Sequence, residues 1–248
     1  LPSKTRMKDF PKYLENRAAT LDNLYIFLNT DANVDTIKQF KPNIIVNATG
    51  SVPLAPPIKG LKENLAAGNV RDIFGMINGV NNGDYPDEAC KGKNVVVVGG
   101  GSVGLDVVEY FAPKGAKCTI IDMLPQIGML ADPITKCSMR ETFDEYGVKE
   151  YVNTALMEVK ENAFVVKTPD GEIVEIPFDY GFNCLGMRPN NPVLASLQEA
   201  YKDTDVVVYP IGDSVRARRI MEGTMDGRAI LNVLDSEGYI DLDSLATK

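Results

Sequence analysis

Three glycines with the spacing G-x-G-x-x-G, Gly99, Gly101 and Gly104, are the residues of this sequence best suited to hold a charged ligand. At such a turn the first glycine permits a tight bend and the second lets a pyrophosphate approach the backbone. The third lets a helix pack closely on a strand. The first amides of that helix and its dipole then face the phosphates. We therefore predict a dinucleotide site, the alternative being a glycine turn with only a structural role.

An acidic residue, Asp122, lies 18 residues after Gly104, at the end of the next predicted strand. A carboxylate at that place accepts hydrogen bonds from both hydroxyls of a ribose and repels a 2′-phosphate. No arginine stands beside it. The spacing therefore favours NAD over NADP.

Two further turns follow predicted buried strands: Asn47-Ala48-Thr49-Gly50 and Ile211-Gly212-Asp213. Each alone is either a simple exit from a strand, with a helix cap in the second case, or a contact to a polyol. Their order along the chain, one on each side of the glycine fingerprint, favours a functional role over a simple exit from a strand.

The elements that must position these residues begin with a β-α-β unit. A strand at 95–98 leads into the glycines, a helix follows from Ser102 until Pro113 and Gly115 stop it, and a second strand covers 117–121. Residues 1–22 show no strong period. The remaining predictions are strands at 25–28, 44–46 and 206–209, helices at 34–40, 133–146 and 216–234, an antiparallel meander over 155–160, 164–167 and 173–177, an irregular connector over 51–60, and a loop-rich domain boundary over 75–92.

Composition excludes several kinds of chemistry. The 248 residues contain no His, which removes Ser-His and Cys-His nucleophile pairs and histidine metal ligands. The four cysteines form no C-x-x-C, so zinc, iron–sulfur and dithiol motifs are unsupported, and we predict no metal site and no catalytic side chain. A net charge of −8 argues against a nucleic-acid binder. No transmembrane or signal segment is visible, and we predict a cytoplasmic protein.

Together these motifs resemble the flavoproteins of the pyridine nucleotide–disulfide oxidoreductase class. More narrowly, the chain looks like the C-terminal half of the NADH:flavin oxidoreductases related to 2,4-dienoyl-CoA reductase, trimethylamine dehydrogenase and enoate reductases. The segments that carry the resemblance are residues 42–57, 92–125, 183–190 and 211–227.

The resemblance implies an α/β fold, with a Rossmann-like NAD-binding domain over residues 70–185. That domain is inserted into an FAD-type domain made of residues 1–69 and 186–248. The residues implied to bind NAD are Gly99, Gly100, Gly101, Ser102, Val103, Gly104, Asp122 and Met123. The residues implied for the FAD-type site are Thr49, Gly50, Gly186, Gly212 and Asp213, the last of these at the sugar.

The sequence departs from this class in several ways. Relatives carry a second glycine fingerprint that opens the FAD-type domain, whereas this chain has one fingerprint and begins at Leu1. The iron–sulfur and FMN barrel of the narrower group is absent too. We therefore expect a C-terminal piece, inactive alone, with weak or absent FAD binding and with FMN and a 4Fe-4S cluster on the missing N-terminal part. The disulfide-reductase branch is disfavoured because the redox cysteine pair is missing.

The function that the resemblance implies is hydride transfer from NADH to FAD. Electrons would continue to the barrel, the one protein partner we predict, for reduction of an enoate or enoyl-type substrate. The alternatives are a non-catalytic nucleotide-binding scaffold for electron transfer and, from another class, a protein-interaction module. The oligomeric state is not predicted.

Overall fold

The computed structural model describes residues 2–246. Within that range the α-helices are α1 (Asp9–Ala18), α2 (Val34–Gln39), α3 (Leu61–Ala67), α4 (Ile73–Asn82), α5 (Asp87–Cys90), α6 (Ser102–Phe111), α7 (Pro133–Tyr146), α8 (Leu194–Tyr201), α9 (Ile220–Ser236) and α10 (Leu242–Ala246). The strands are β1 (Ile44–Asn47), β2 (Ser51–Pro53), β3 (Val70–Arg71), β4 (Asn94–Val98), β5 (Lys117–Ile121), β6 (Lys149–Tyr151), β7 (Ala155–Val159), β8 (Ala163–Lys167), β9 (Ile173–Pro177), β10 (Tyr180–Asn183), β11 (Met187–Pro189) and β12 (Val207–Pro210).

The chain divides into two compact units. Unit 1 comprises residues 2–17 and 53–186, and unit 2 comprises residues 18–52 and 187–246. The assignment of an inserted NAD-binding domain and a surrounding FAD-type domain stays a prediction.

Unit 1 is built on a parallel sheet of five strands in the order β3-β10-β4-β5-β6. Strands β7, β8 and β9 form a separate antiparallel sheet. Because successive side chains of a strand point to opposite faces, β4 contributes to two cores. Val95 and Val97 pack in a cluster with Phe111 of α6, whereas Val96 and Val98 pack in a cluster with Phe164 of β8. Helices α4, α6 and α7 pack on one face of the parallel sheet, and the antiparallel sheet together with α3 packs on the other.

Unit 2 contains a parallel pair of strands, β1 and β12, with Ile44 opposite Val207 and Asn47 opposite Pro210. Ile45 packs in a small buried cluster with Leu197 and Tyr201 of α8. Asn33 caps α2, because its side chain accepts the N–H groups of Asp35 and Thr36.

The predicted fold class, an α/β Rossmann-type fold with a parallel sheet and an antiparallel meander, is confirmed. The β-α-β unit is present as β4, α6 and β5. Helix α7 begins with Asp132 as its cap and Pro133 in its first turn, and Gly147 ends it in the left-handed conformation. These elements are set by local signals: a buried valine run, a cap and a terminal glycine.

The prediction of a loop over residues 75–92 is wrong, because α4 and α5 occupy most of it. Gly79 caused the error. A Cβ on this residue would lie 2.6 Å from the Tyr85 ring, so the glycine serves close packing inside a helix rather than a turn. Asp72 caps α4 by accepting the Gly75 N–H at 2.8 Å.

The strand predicted at 25–28 is also wrong. The segment is in no strand, and its four side chains are exposed. No strand of the described residues pairs with it, so its sequence pattern has no ladder to join. Within the weakly patterned N-terminus the structure places α1. The helix predicted at 216–234 is α9, which begins at Ile220, and it is followed by α10 rather than being the last helix. The short elements that the sequence did not predict are α3, α8, α10, β2, β3, β6 and β11.

Candidate functional site

The three strands at the centre of the unit 1 sheet end side by side. Val98 lies opposite Ile121 of β5 and opposite Asn183 of β10. The segments that follow these strands are residues 99–101, 122–124 and 184–186, so all three begin at one edge. The carboxyl edge of a parallel sheet is where open α/β folds bind ligands.

Two glycines of the turn are required by the protein itself. Gly99 has φ of 108°, and a Cβ there would lie 2.1 Å from the carbonyl oxygen of Cys184. A Cβ on Gly104 would lie 1.9 Å from the carbonyl oxygen of Gly99. Both positions therefore admit no larger residue without a backbone shift. They set the bend and the close approach of α6 to β4.

Gly101 differs from these two glycines. Its φ is −79° and its ψ is −176°, a conformation open to any residue, and a Cβ there would meet no protein atom within 4 Å. Nothing in unit 1 requires a glycine at this position. The open space in front of its backbone is what a bound pyrophosphate would need.

Helix α6 presents free amides beside that space. Its hydrogen-bond ladder begins with the N–H of Leu105, which donates to the carbonyl of Gly101 at 3.0 Å. The amides of Ser102, Val103 and Gly104 therefore have no acceptor inside the helix, and no side chain caps it. Such amides and the positive end of the helix dipole attract phosphate oxygens.

The half-buried Asp122 carboxylate follows β5. Its Oδ2 accepts the N–H of Gly100 at 2.5 Å and its Oδ1 accepts the N–H of Leu124 at 2.8 Å. Each carboxylate oxygen has two lone pairs, so capacity for ribose hydroxyls remains. Met123, the neighbouring residue, is exposed.

These segments surround a cleft of 600 Å³ within unit 1. Its walls are mostly apolar, and among its described lining residues Asp122 carries the one charged side chain. The lining residues are Leu54, Pro56, Ile58, Val98, Gly99, Gly101, Asp122, Met123, Leu124, Thr154, Ala155, Leu156, Cys184, Leu185 and Gly186. No lining cation is available to neutralise a 2′-phosphate.

The cleft also contains several residues to which the sequence assigned no role. Leu54, Pro56 and Ile58 come from the proline-containing connector. Thr154 is buried, and its N–H donates to the Asp122 carbonyl at 2.9 Å. Cys184 follows β10, and burial raises the pKa of its thiol well above the ordinary range, so it stays protonated. Gly186, implied for the FAD-type site by resemblance, lies at this cleft in unit 1.

The other predicted residues meet in unit 2, at the carboxyl edge of β1 and β12. Oδ2 of Asp213 accepts the hydroxyl of Ser51 at 3.0 Å, and its Oδ1 accepts the N–H of Arg218 at 3.0 Å. The Thr49 hydroxyl donates to the carbonyl of Asn190. Gly50 and Gly212 have positive φ, of 74° and 61°.

The described residues of unit 2 hold no strand–glycine turn–helix that could bind a pyrophosphate. By themselves they do not fit a complete FAD, whereas unit 1 fits NAD. In the described part of the chain, no cluster of three or more Cys, Asp or Glu is placed to bind a metal ion. No helix there has the length and apolar character to cross a membrane.

Comparison with known proteins identifies the family to which the chain is similar. The model of the pyridine nucleotide-disulphide oxidoreductase family matches residues 8–211. NADH oxidase of Thermoanaerobacter brockii is 28% identical over 91% of this chain and 33% of its own length. Bilirubin reductase of Mediterraneibacter gnavus is 28% identical over 94% of this chain and 34% of its own length. The chain thus spans about one third of these relatives.

Two solved structures share the fold. The complex of 2-naphthoyl-CoA reductase with 2-naphthoyl-CoA matches with a TM-score of 0.72 and 24% identity, over 90% of this chain and 31% of that one. Histamine dehydrogenase from Rhizobium sp. 4-9 matches with a TM-score of 0.69 and 16% identity, over 91% of this chain and 36% of that one. The family match confirms, at the level of the superfamily, the resemblance stated from the sequence. The chain belongs to the pyridine nucleotide-disulphide oxidoreductase family.

Proposed function

We propose that this chain is the NADH-binding module of an NADH:flavin oxidoreductase, of the group that includes 2,4-dienoyl-CoA reductase and trimethylamine dehydrogenase. One observation carries the proposal. Gly101 is a glycine that the protein does not need, facing open space beside the free amides of α6. A ligand with a pyrophosphate explains both features.

The choice of NADH over NADPH rests on charge. Asp122 stands at the cleft without a lining cation, so two ribose hydroxyls are favoured and a 2′-phosphate is repelled. We therefore assign NADH rather than NADPH as the reductant. Gly99, Gly100, Gly101, Ser102, Val103, Gly104, Asp122 and Met123 are the residues proposed to hold it.

The protein's own part in the reaction is to bind, orient and exclude water. The nicotinamide supplies a hydride and a flavin accepts it, so no acid or base side chain is required of this chain. The apolar walls formed by Leu54, Ile58, Leu156 and Leu185 exclude water from the cleft. The amides of α6 and the Asp122 carboxylate fix the two ends of the adenosine diphosphate portion.

The remaining steps belong to other parts of the protein. We propose that a further segment completes the FAD site of Thr49, Gly50, Gly212 and Asp213, and that it covers the exposed residues 25–28. An iron–sulfur and FMN barrel would then reduce an enoate or enoyl-type substrate. The relatives named NADH oxidase and bilirubin reductase, about three times as long, support a reductase supplied by NADH.

The test is to mix the intact protein with NADH without oxygen and to follow flavin absorbance. We expect bleaching of the flavin band with NADH, and slower bleaching with NADPH. Tight binding of NADH without bleaching would instead indicate a nucleotide-binding scaffold for electron transfer. Absence of both binding and bleaching would contradict the proposal altogether.

A further inference from the structure

The middle residue of the glycine turn, Gly100, is held on three sides by one distant segment, residues 122–128. Its N–H donates to Oδ2 of Asp122 at 2.5 Å, and its carbonyl accepts the N–H of Gly128 at 2.8 Å. On its third side lies Ile127, whose Cδ1 would be 2.8 Å and Cγ2 3.2 Å from a Cβ on Gly100. The turn is therefore fixed by contacts from outside its own sequence.

That segment is itself anchored in the core at its far end. Ile127 is fully buried in the cluster that contains Leu105 of α6 and Met139 of α7. A Cβ on Gly128 would lie 3.0 Å from the sulfur of Met139, so the backbone is pressed against α7 there. The intervening side chains, such as Met123, are exposed. Backbone hydrogen bonds tie residues 122 and 124 to residues 151–154, whereas the buried side-chain anchor is at Ile127, next to the close backbone contact of Gly128.

We propose that residues 122–128 act as a brace, which holds the glycine turn in its binding conformation before a nucleotide arrives, with Ile127 as the positioning residue. The consequence for affinity rests on the proposed function. Because Asp122 already accepts the N–H of Gly100, the donors left for the phosphates are the amides of Ser102, Val103 and Gly104. A turn that is ordered in advance spares the ligand the cost of ordering it.

The brace is tested first without any nucleotide, by hydrogen exchange on the peptide covering residues 99–105 in the intact protein. Ile127→Ala removes both methyl groups that face Gly100, Cδ1 and Cγ2. We expect amide hydrogen exchange in this peptide to rise about tenfold. Ile176→Ala is the matched control: it truncates the same residue type, nearly buried in unit 1 but in the other core cluster. We expect the control to lose stability without faster exchange in this peptide.

A milder variant keeps the test decisive if Ile127→Ala does not fold. Ile127→Val removes the Cδ1 atom that lies closest to Gly100, and we expect a smaller rise in exchange of the same peptide. Unchanged exchange in both Ile127 variants, or an equal rise in Ile176→Ala, would overturn the brace.

Titration with NADH and with ADP then measures what the brace does for binding. Both ligands carry the pyrophosphate, so we expect Ile127→Ala to raise both dissociation constants by a similar factor, about tenfold. Wild-type affinity in Ile127→Ala would overturn the proposed effect on binding. If exchange responds as expected but the wild-type protein binds neither ligand, the brace is supported and the proposed function fails.

Discussion

Substitution of Gly101 by alanine should separate folding from nucleotide binding at the glycine turn. The φ and ψ of Gly101 suit alanine, and a Cβ there meets no protein atom within 4 Å. Alanine restricts the unfolded chain, which favours folding by about 0.4–1 kcal/mol. Gly101 is also the N-cap of α6, where alanine is less favourable than glycine by a similar amount, so we expect little net change in the free energy of unfolding. The same methyl group occupies the space of the phosphate. We expect the Kd for NADH to rise about 10- to 100-fold, or about 1.4–2.8 kcal/mol.

The matched comparison is Gly99→Ala, two residues earlier. A Cβ at Gly99 would lie 2.1 Å from a carbonyl oxygen, and the φ of 108° is unfavourable for alanine. The backbone conformation alone costs about 1–3 kcal/mol, and the clash adds to that. We therefore expect Gly99→Ala to lose stability where Gly101→Ala does not.

Urea unfolding followed by circular dichroism gives the two free energies of unfolding, and NADH fluorescence gives the two dissociation constants. The reasoning fails if Gly101→Ala is destabilised as much as Gly99→Ala. It also fails if Gly101→Ala binds NADH with wild-type affinity, because the open space would then not be a phosphate site.

Three further predictions concern charge, pH and thiols. Asp122→Asn should lower the ratio of the Kd for NADPH to the Kd for NADH about tenfold. The reason is that the substitution removes a negative charge that lies a few ångströms from the 2′-phosphate of NADPH. Bonds from the Asn94 N–H and from Lys93 lower the pKa of Asp179, so its contribution to stability is present above about pH 4 and is lost on acidification through the folded pKa. Asp179→Asn should flatten that acid loss in unfolding experiments. A thiol reagent should label Cys137 alone in the folded protein, because the other three cysteines are buried.

Each of these has a result that would contradict it. An unchanged Kd ratio in Asp122→Asn would remove the charge argument for NADH. Parallel acid curves for wild type and Asp179→Asn would show that its hydrogen bonds do not favour the ionised form in the fold. Rapid labelling of Cys118, whose pKa burial raises to about 12, would show that its surroundings open.

The sequence was sufficient where the signal is local. The valine run at 95–98 followed by Gly99 and Gly104 specified a strand, a tight turn and a close-packed helix, because each step depends on neighbouring residues. Asp132 and Gly147 likewise marked both ends of α7. The order of these elements was enough to indicate an α/β fold with a parallel sheet.

Only the tertiary structure decided the features that depend on distant residues. Gly79 contributed to the loop prediction, yet it lies inside α4, and it is a glycine because the Tyr85 ring leaves no room for a side chain. The apolar run at 25–28 is typical of a strand, yet a strand needs a neighbouring strand for its hydrogen bonds, and no strand of the described residues pairs with it. Likewise, the position of Asp122 in the sequence predicts a ribose acceptor, and the structure shows that its carboxylate also accepts the N–H of Gly100. Nothing in the sequence indicated that Ile127 contacts the glycine turn. Local sequence thus set which elements form, and long-range packing set which residues hold the site in shape.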